Sequence, residues 1–152
     1  MADAYVDALR MLARRELSEA QVRRRLARRH APAAIDAAVD RLRTERALDD
    51  VRVAEAIART AINLKRRGRL RVCREIEQAG IAAATARRVV DEVFESVDGD
   101  ALIEAALARR LRGRDDITDD AQFARLYRFL IGQGFEPDRV LAALRNHKGR
   151  PS

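Results

Sequence analysis

The commonest residues in this chain that could do chemistry are arginines, and they come in runs. Residues 22–29 read VRRRLARR and residues 65–74 read KRRGRLRVCR. A guanidinium stays charged at any physiological pH and presents a planar fork of donors, so it pairs equally well with a phosphate or with a carboxylate of a partner protein. Helical spacing sorts these side chains. With Val22 and Leu26 turned inward, Arg24 and Arg28 lie on the opposite, solvent side, flanked by Arg23, Arg25 and Arg29. With Val72 and Ile76 inward, Arg74 faces out beside Arg71 and the run from Lys65 to Arg69. The candidate contacts to an anionic partner are therefore Arg24, Arg25, Arg28, Lys65, Arg66, Arg67, Arg69, Arg71 and Arg74. For each of them a plain solvated helix face is the competing reading.

Other chemistry is sparse. Cys73, the single cysteine, lies between Arg71 and Arg74, which would lower a thiol pKa. No His, Asn or second Cys stands near it in sequence, so an inert half-buried thiol is the expectation. His30 falls in a hinge and His147 near the tail, with no carboxylate pair at ligand spacing, so no metal site is expected. No phosphate-binding glycine loop occurs, and no cofactor is expected. The chain reads as a non-enzyme, because no acid, base and nucleophile cluster can be assembled from it. Phe123, Leu126, Tyr127 and Leu130 have the spacing of a core face rather than of a base-stacking platform.

Composition agrees with a binding role. The 152 residues carry 31 Lys and Arg against 24 Asp and Glu, a net charge of +7, which favours an acidic partner such as nucleic acid. The excess is uneven: residues 51–97 hold 10 bases and 6 acids, the most basic third of the chain. One cysteine excludes an intramolecular disulfide, and no uncharged run approaches the length of a membrane span. The acidic start MADAYVDALR is unlike a signal peptide. A soluble, cytoplasmic protein that does not engage membranes is the expectation.

The elements that must position these residues are helices. Apolar residues recur at the helical period throughout, and no stretch alternates over the length of a strand, so the chain reads as all-α. Helix 1 is predicted over about 4–15 with Leu9, Leu12 and Ala13 inward. Ser18 caps helix 2, Pro32 opens helix 3, and a helix from Val51 to about Arg66 precedes Gly68. REIEQAGI at 74–81 and RFLIGQGF at 128–135 repeat one pattern, in which a glycine ends one helix in the left-handed conformation and the apolar residue after it folds back. Aligning Ile35, Ala86 and Val140 makes the first copy one residue shorter and without its glycine near His30. LARR recurs at 12–15 and 107–110, and a polar loop, GRDDITDD, spans 113–120. These observations predict three tandem three-helix modules, at 1–48, 49–97 and 98–152, in an extended arrangement.

Four stretches in this order, ALRMLARRELSEAQVRRRLARR at 8–29, ALDDVRVAEA at 47–56, REIEQAGI and RFLIGQGF, resemble the RecX family, regulators of the RecA recombinase. The resemblance covers almost the whole chain. It keeps Leu48, Asp49 and Asp50 but has Val53 where the family usually places an aromatic and Arg69 where a proline often follows the glycine. It implies a monomeric helical-repeat protein that binds the RecA-type filament on single-stranded DNA, and DNA itself. It also implies inhibition of ATP hydrolysis, filament extension and strand exchange, within homologous recombination, DNA repair and the SOS response. A stand-alone DNA- or RNA-binding helical protein is the alternative.

Overall fold

Small apolar residues at helical spacing, broken by caps and joints, leave this chain one way to bury them: short helices packed in groups. A computed structural model describes residues 3–114 and 116–148, and among them it contains nine helices and no strand. They are α1 (Ala4–Arg14), α2 (Glu19–Leu26), α3 (Pro32–Thr44), α4 (Asp50–Asn63), α5 (Arg69–Gln78), α6 (Ala83–Phe94), α7 (Gly99–Leu111), α8 (Asp120–Gly132) and α9 (Pro137–His147). Every extensive helix-to-helix packing lies within a consecutive triplet. Each triplet encloses its own core, around Val22, Leu26, Val39 and Leu42 in the first, Ala58, Val72, Ile76 and Val90 in the second, and Ile103, Leu107, Leu130 and Leu144 in the third. The accessible area is 9914 Å² for a 17.1 kDa chain. A compact monomer of that mass exposes roughly 7,800 Å². No helix among the described residues is long and apolar enough to cross a membrane.

The helix starts follow from local chemistry. Ser18 accepts from the Gln21 amide while the Gln21 side chain accepts from the Ser18 amide, a reciprocal pair that satisfies two donors at the head of α2. Asp49 caps α4 and Pro32 sits in the first turn of α3. Three details depart from the sequence reading. In α1 the buried residues are Ala4 and Ala8, whereas Leu9 and Ala13 are exposed and Leu12 is half-buried. The two alanines let α1 lie close on α3, and the extended backbone after the helix turns Leu17 into the core place that a helical leucine would have taken. The helix predicted to reach Arg66 stops at Asn63, because Arg66 takes a left-handed φ of 53° and the Arg67 amide closes onto the Ala61 carbonyl at 2.9 Å. Within the polar loop Ile117 is buried, and its amide donates to the His147 carbonyl at 2.8 Å.

Both repeated glycines have positive φ, 84° at Gly80 and 96° at Gly134, and Ile81 and Phe135 beside them are buried. Each has a second duty. Gly134 lies against the start of α5, where a Cβ would meet Arg71 Cβ at 2.3 Å. The Gly68 amide donates to the Gln133 carbonyl at 2.7 Å and the Leu70 amide to the Gly134 carbonyl at 3.0 Å. Gly80 lies in the same way against the start of α2, where a Cβ would meet Ala20 Cβ at 2.5 Å, and the buried Ser18 hydroxyl donates to the Ala79 carbonyl. The positive end of α2 thus meets the negative end of α5, and the positive end of α5 meets the negative end of α8. At the α5–α8 contact orphan amides of one helix head satisfy carbonyls at the other helix's tail, whereas at the α2–α5 contact the Ser18 hydroxyl is the donor. Near the end of α2, where the first copy of the repeat lacks its glycine, the His30 ring lies 2.6 Å from Asp7.

Candidate nucleic-acid and partner interface

The nine predicted cations separate into two groups by what they touch. Arg24 and Arg25 on α2, and Arg28 in the turn that follows it, are exposed and have no ion pair among the described residues. Two of them gain company from α1: Arg25 and Arg28 border a cleft with Arg10, Arg29 and His30, and Arg25 a smaller one with Arg14 and Arg15. Cations in the last turn of α2 also favour its negative end, which gives this helix a structural reason to be arginine-rich. Lys65 and Arg74 are exposed and Arg66 is half-buried, again without an ion pair among the described residues.

The other three do not form the outward basic face that the run KRRGRLR suggests. Arg67 pairs with Glu75 in a half-buried contact, and Arg69 pairs with Asp91 at 2.9 Å while lying near the Phe94 ring. Arg71 donates to the Gly132 carbonyl at 2.9 Å and to Gln133 Oε1 at 3.2 Å, with Glu75 at 3.5 Å on its other side. Arg71 thus braces the α5–α8 joint, while Arg67 and Arg69 are held by carboxylates of their own unit. The sequence shows Glu75 four residues after Arg71, a readable helical pair. It gives no sign of the α8 carbonyls or of Asp91 as partners.

The fold also gathers cations that charge counting overlooks. Lys65 and Arg66, beyond the end of α4, border a cleft of about 490 Å³ with Arg109, Arg110 and Arg112 from the end of α7 and with Phe129 of α8. The Arg110 guanidinium lies over the Phe129 ring, 3.7 Å from its centre. No carboxylate lines this cleft. The local signal was LARRLRGR at 107–114, masked because the last third of the chain is nearly neutral in sum.

The remaining candidates take structural places. Leu126 and Leu130 are buried in the third core with Phe123 and Tyr127 packed against it. Cys73 is half-buried in α5, and burial, followed by the charge of Glu77, pushes its thiol pKa up, outweighing the nearby arginines. Beside Gly80, α2 lies against the end of α5, and α6 packs on α4 and α5. Arg87 and Arg88 are exposed on α6. Among the described residues no group of three or more His, Cys, Asp or Glu side chains is placed to hold a metal.

Comparison with known proteins adds a lineage to this geometry. Residues 4–42 match the family model of the first three-helix domain of RecX, and residues 49–90 that of its second three-helix domain. The regulatory protein RecX of Halorhodospira halophila is 36% identical over 138 residues, covering 90% of this chain and 83% of the relative. That of Thermus thermophilus is 38% identical over 145 residues, covering 94% and 91%. The crystal structure of RecX from Lactobacillus salivarius superposes with a TM-score of 0.76 over 94% of this chain and 93% of that one, at 19% identity, so the likeness there is one of fold. Two matched domains and near-full-length relatives above 30% identity place the chain in the RecX family of regulatory proteins.

Proposed function

We propose that this chain regulates a RecA-type recombinase by binding its filament on single-stranded DNA in the cytoplasm, chiefly restraining ATP hydrolysis, filament extension and strand exchange. Membership of the RecX family carries the reading. In this account α7–α9 is a third copy of the three-helix unit and residues 1–48, 49–97 and 98–152 are the modules. The recurrence of one joint geometry at Gly80 and Gly134 supports that division. The surplus of accessible area supports an extended monomer whose modules meet successive filament subunits, so that weak contacts add by avidity. Arg24, Arg25, Arg28, Lys65, Arg66 and Arg74 supply the anion contacts, while Arg71 braces the meeting of the second and third units and Arg67 and Arg69 pair within the second. No catalytic step is assigned to the chain.

The test adds the purified protein to recombinase filaments on single-stranded DNA and follows ATP hydrolysis and filament length. Slower hydrolysis and shorter filaments are expected. No change in either overturns the reading. Equal binding to bare nucleic acid and to the filament would favour a stand-alone nucleic-acid binder instead.

A further inference from the structure

The cleft between the end of α4 and the α7–α8 pair is built in a way that neither the family models nor the sequence runs point to. Its rim carries Lys65, Arg66, Arg109, Arg110 and Arg112 with no acid among them, and Leu64 beside them is 79% exposed. Five like charges around one concavity repel one another, and no carboxylate lining the cleft offsets that cost. Two of the five also sit on backbone that their residue type disfavours. Arg66 has φ 53° and Arg112 φ 50°, and among the described residues only Arg46 shares this state outside glycine. A glycine would take those angles without steric cost. Uncommon backbone angles converging with unpaired charge on one concavity are the pattern of a site kept for a ligand.

The stacked pair says which polyanion fits. Phe129 backs one face of the Arg110 guanidinium, whose other face is left toward the solvent side of an exposed residue. A guanidinium held flat in this way stacks on another flat π-face. Carboxylates of a protein surface have no use for that platform or for the apolar Leu64 next to it. An unpaired base does, and the phosphates on either side of it then fall among the remaining cations. A duplex, whose bases are already stacked, satisfies only the charges. We propose that this cleft binds single-stranded nucleic acid directly, with Arg110 stacking on a base and Lys65, Arg66, Arg109 and Arg112 contacting the backbone phosphates. The site belongs to the free chain and needs no recombinase; it deepens the nucleic-acid half of the proposed function.

The test measures binding of the full chain to a labelled oligothymidylate and to a duplex of equal length over a salt series. Arg110→Lys keeps the charge and loses the plane. It is expected to weaken single-strand binding at least about fivefold with an unchanged salt slope, and to abolish the preference over duplex. R66G/R112G removes two cations from the phosphate path while relieving the backbone. Its melting temperature should hold or rise as its log–log salt slope flattens by about 0.7 for each phosphate no longer neutralised. R125Q/R128Q, which removes two exposed charges from α8 outside the cleft, should bind nearly as the wild type does. Wild-type binding by R66G/R112G, or an equal loss in R125Q/R128Q, overturns the proposal. So does an Arg110→Lys variant with unaltered strand preference. Run in parallel, ATP hydrolysis by recombinase filaments separates the two readings. A chain that binds the bare strand through this cleft yet leaves hydrolysis untouched fails as a recombinase regulator and keeps the site. R66G/R112G that binds the bare strand as tightly as wild type but no longer inhibits makes the cleft a protein contact and removes the nucleic-acid assignment.

Discussion

Substitution of Gly134 by alanine probes the joint between α5 and α8 most directly. Two costs are separable. At φ 96° an alanine bears a steric penalty of about 1 kcal/mol. Its Cβ would also lie 2.4 Å from the Arg71 nitrogen and 2.3 Å from Arg71 Cβ, so α5 must back away. Retreat breaks the Gly68-to-Gln133 and Leu70-to-Gly134 hydrogen bonds, each worth about 1 kcal/mol. The sum is about 3 kcal/mol. Three other glycines partition it. Gly113 has φ 85° with nothing within 4 Å of a Cβ, so Gly113→Ala should cost only about 1 kcal/mol. Gly68 has an ordinary φ of −83° but a Cβ there would meet the Gly134 carbonyl carbon at 2.5 Å, so Gly68→Ala reports packing alone, about 2 kcal/mol. Gly132, the last residue of α8, faces open space, and Gly132→Ala should stabilise by about 0.5 kcal/mol. Urea unfolding followed by circular dichroism measures all four, with hydrogen exchange at Gly68 and Leu70 reporting the joint itself. A Gly134→Ala cost no larger than that of Gly113→Ala would refute the claim that the glycine serves an inter-unit contact.

Ser18→Ala removes both a helix cap and a side-chain donor to the Ala79 carbonyl, so a loss of about 2 kcal/mol is expected by thermal melting; a loss near zero would mean that the hydroxyl is not shared between the units. Arg71→Glu places a carboxylate beside Glu75 and against the Gly132 carbonyl and should destabilise by about 2 kcal/mol, whereas Arg74→Glu, exposed on the same helix, should stay within about 0.5 kcal/mol. Equal melting shifts for the two would remove Arg71 from the joint. Asp50→Ala leaves the Glu19 amide without its acceptor and should cost about 1 kcal/mol, while Asp50→Asn should recover most of it; failure of the asparagine to rescue would point to charge rather than hydrogen bonding as the useful property.

The helices were legible because their signals are local. Val22 with Leu26, Val72 with Ile76 and Val140 with Leu144 mark buried faces at the helical period, and Ser18 and Pro32 mark starts without reference to anything distant. The positive φ of Gly80 and Gly134 was equally local. What their missing side chains make room for was not, since Ala20 and Arg71 lie some sixty positions away in sequence. Burial of Leu17 depends on how the chain leaves α1, which periodicity cannot describe once the helix has ended. The candidate interface divides along the same line. Exposure of Arg24, Arg25, Arg28 and Arg74 follows from helix arithmetic, whereas the diversion of Arg71 into the joint, the pairing of Arg69 with Asp91, and the meeting of Lys65 and Arg66 with Arg109, Arg110 and Arg112 exist only in three dimensions.

The two joints differ in the alphabet that encodes them. Between the first and second units the contact is made by side chains: the Ser18 hydroxyl, the Asp50 carboxylate on the Glu19 amide, and Glu16 paired with Arg52 at 3.0 Å. Between the second and third the contact is made by main-chain hydrogen bonds, which almost any residue can supply, and by Arg71, with two glycines that clear the way. A single base change can therefore loosen, tighten or re-aim the first joint by exchanging one polar group for another. The second offers selection almost no intermediate settings, because a side chain at Gly68 or Gly134 obstructs the contact instead of modifying it. The bend between the first and second units is thus adjustable by substitution and the bend between the second and third is held nearly constant, so relatives should have diverged mainly at the first.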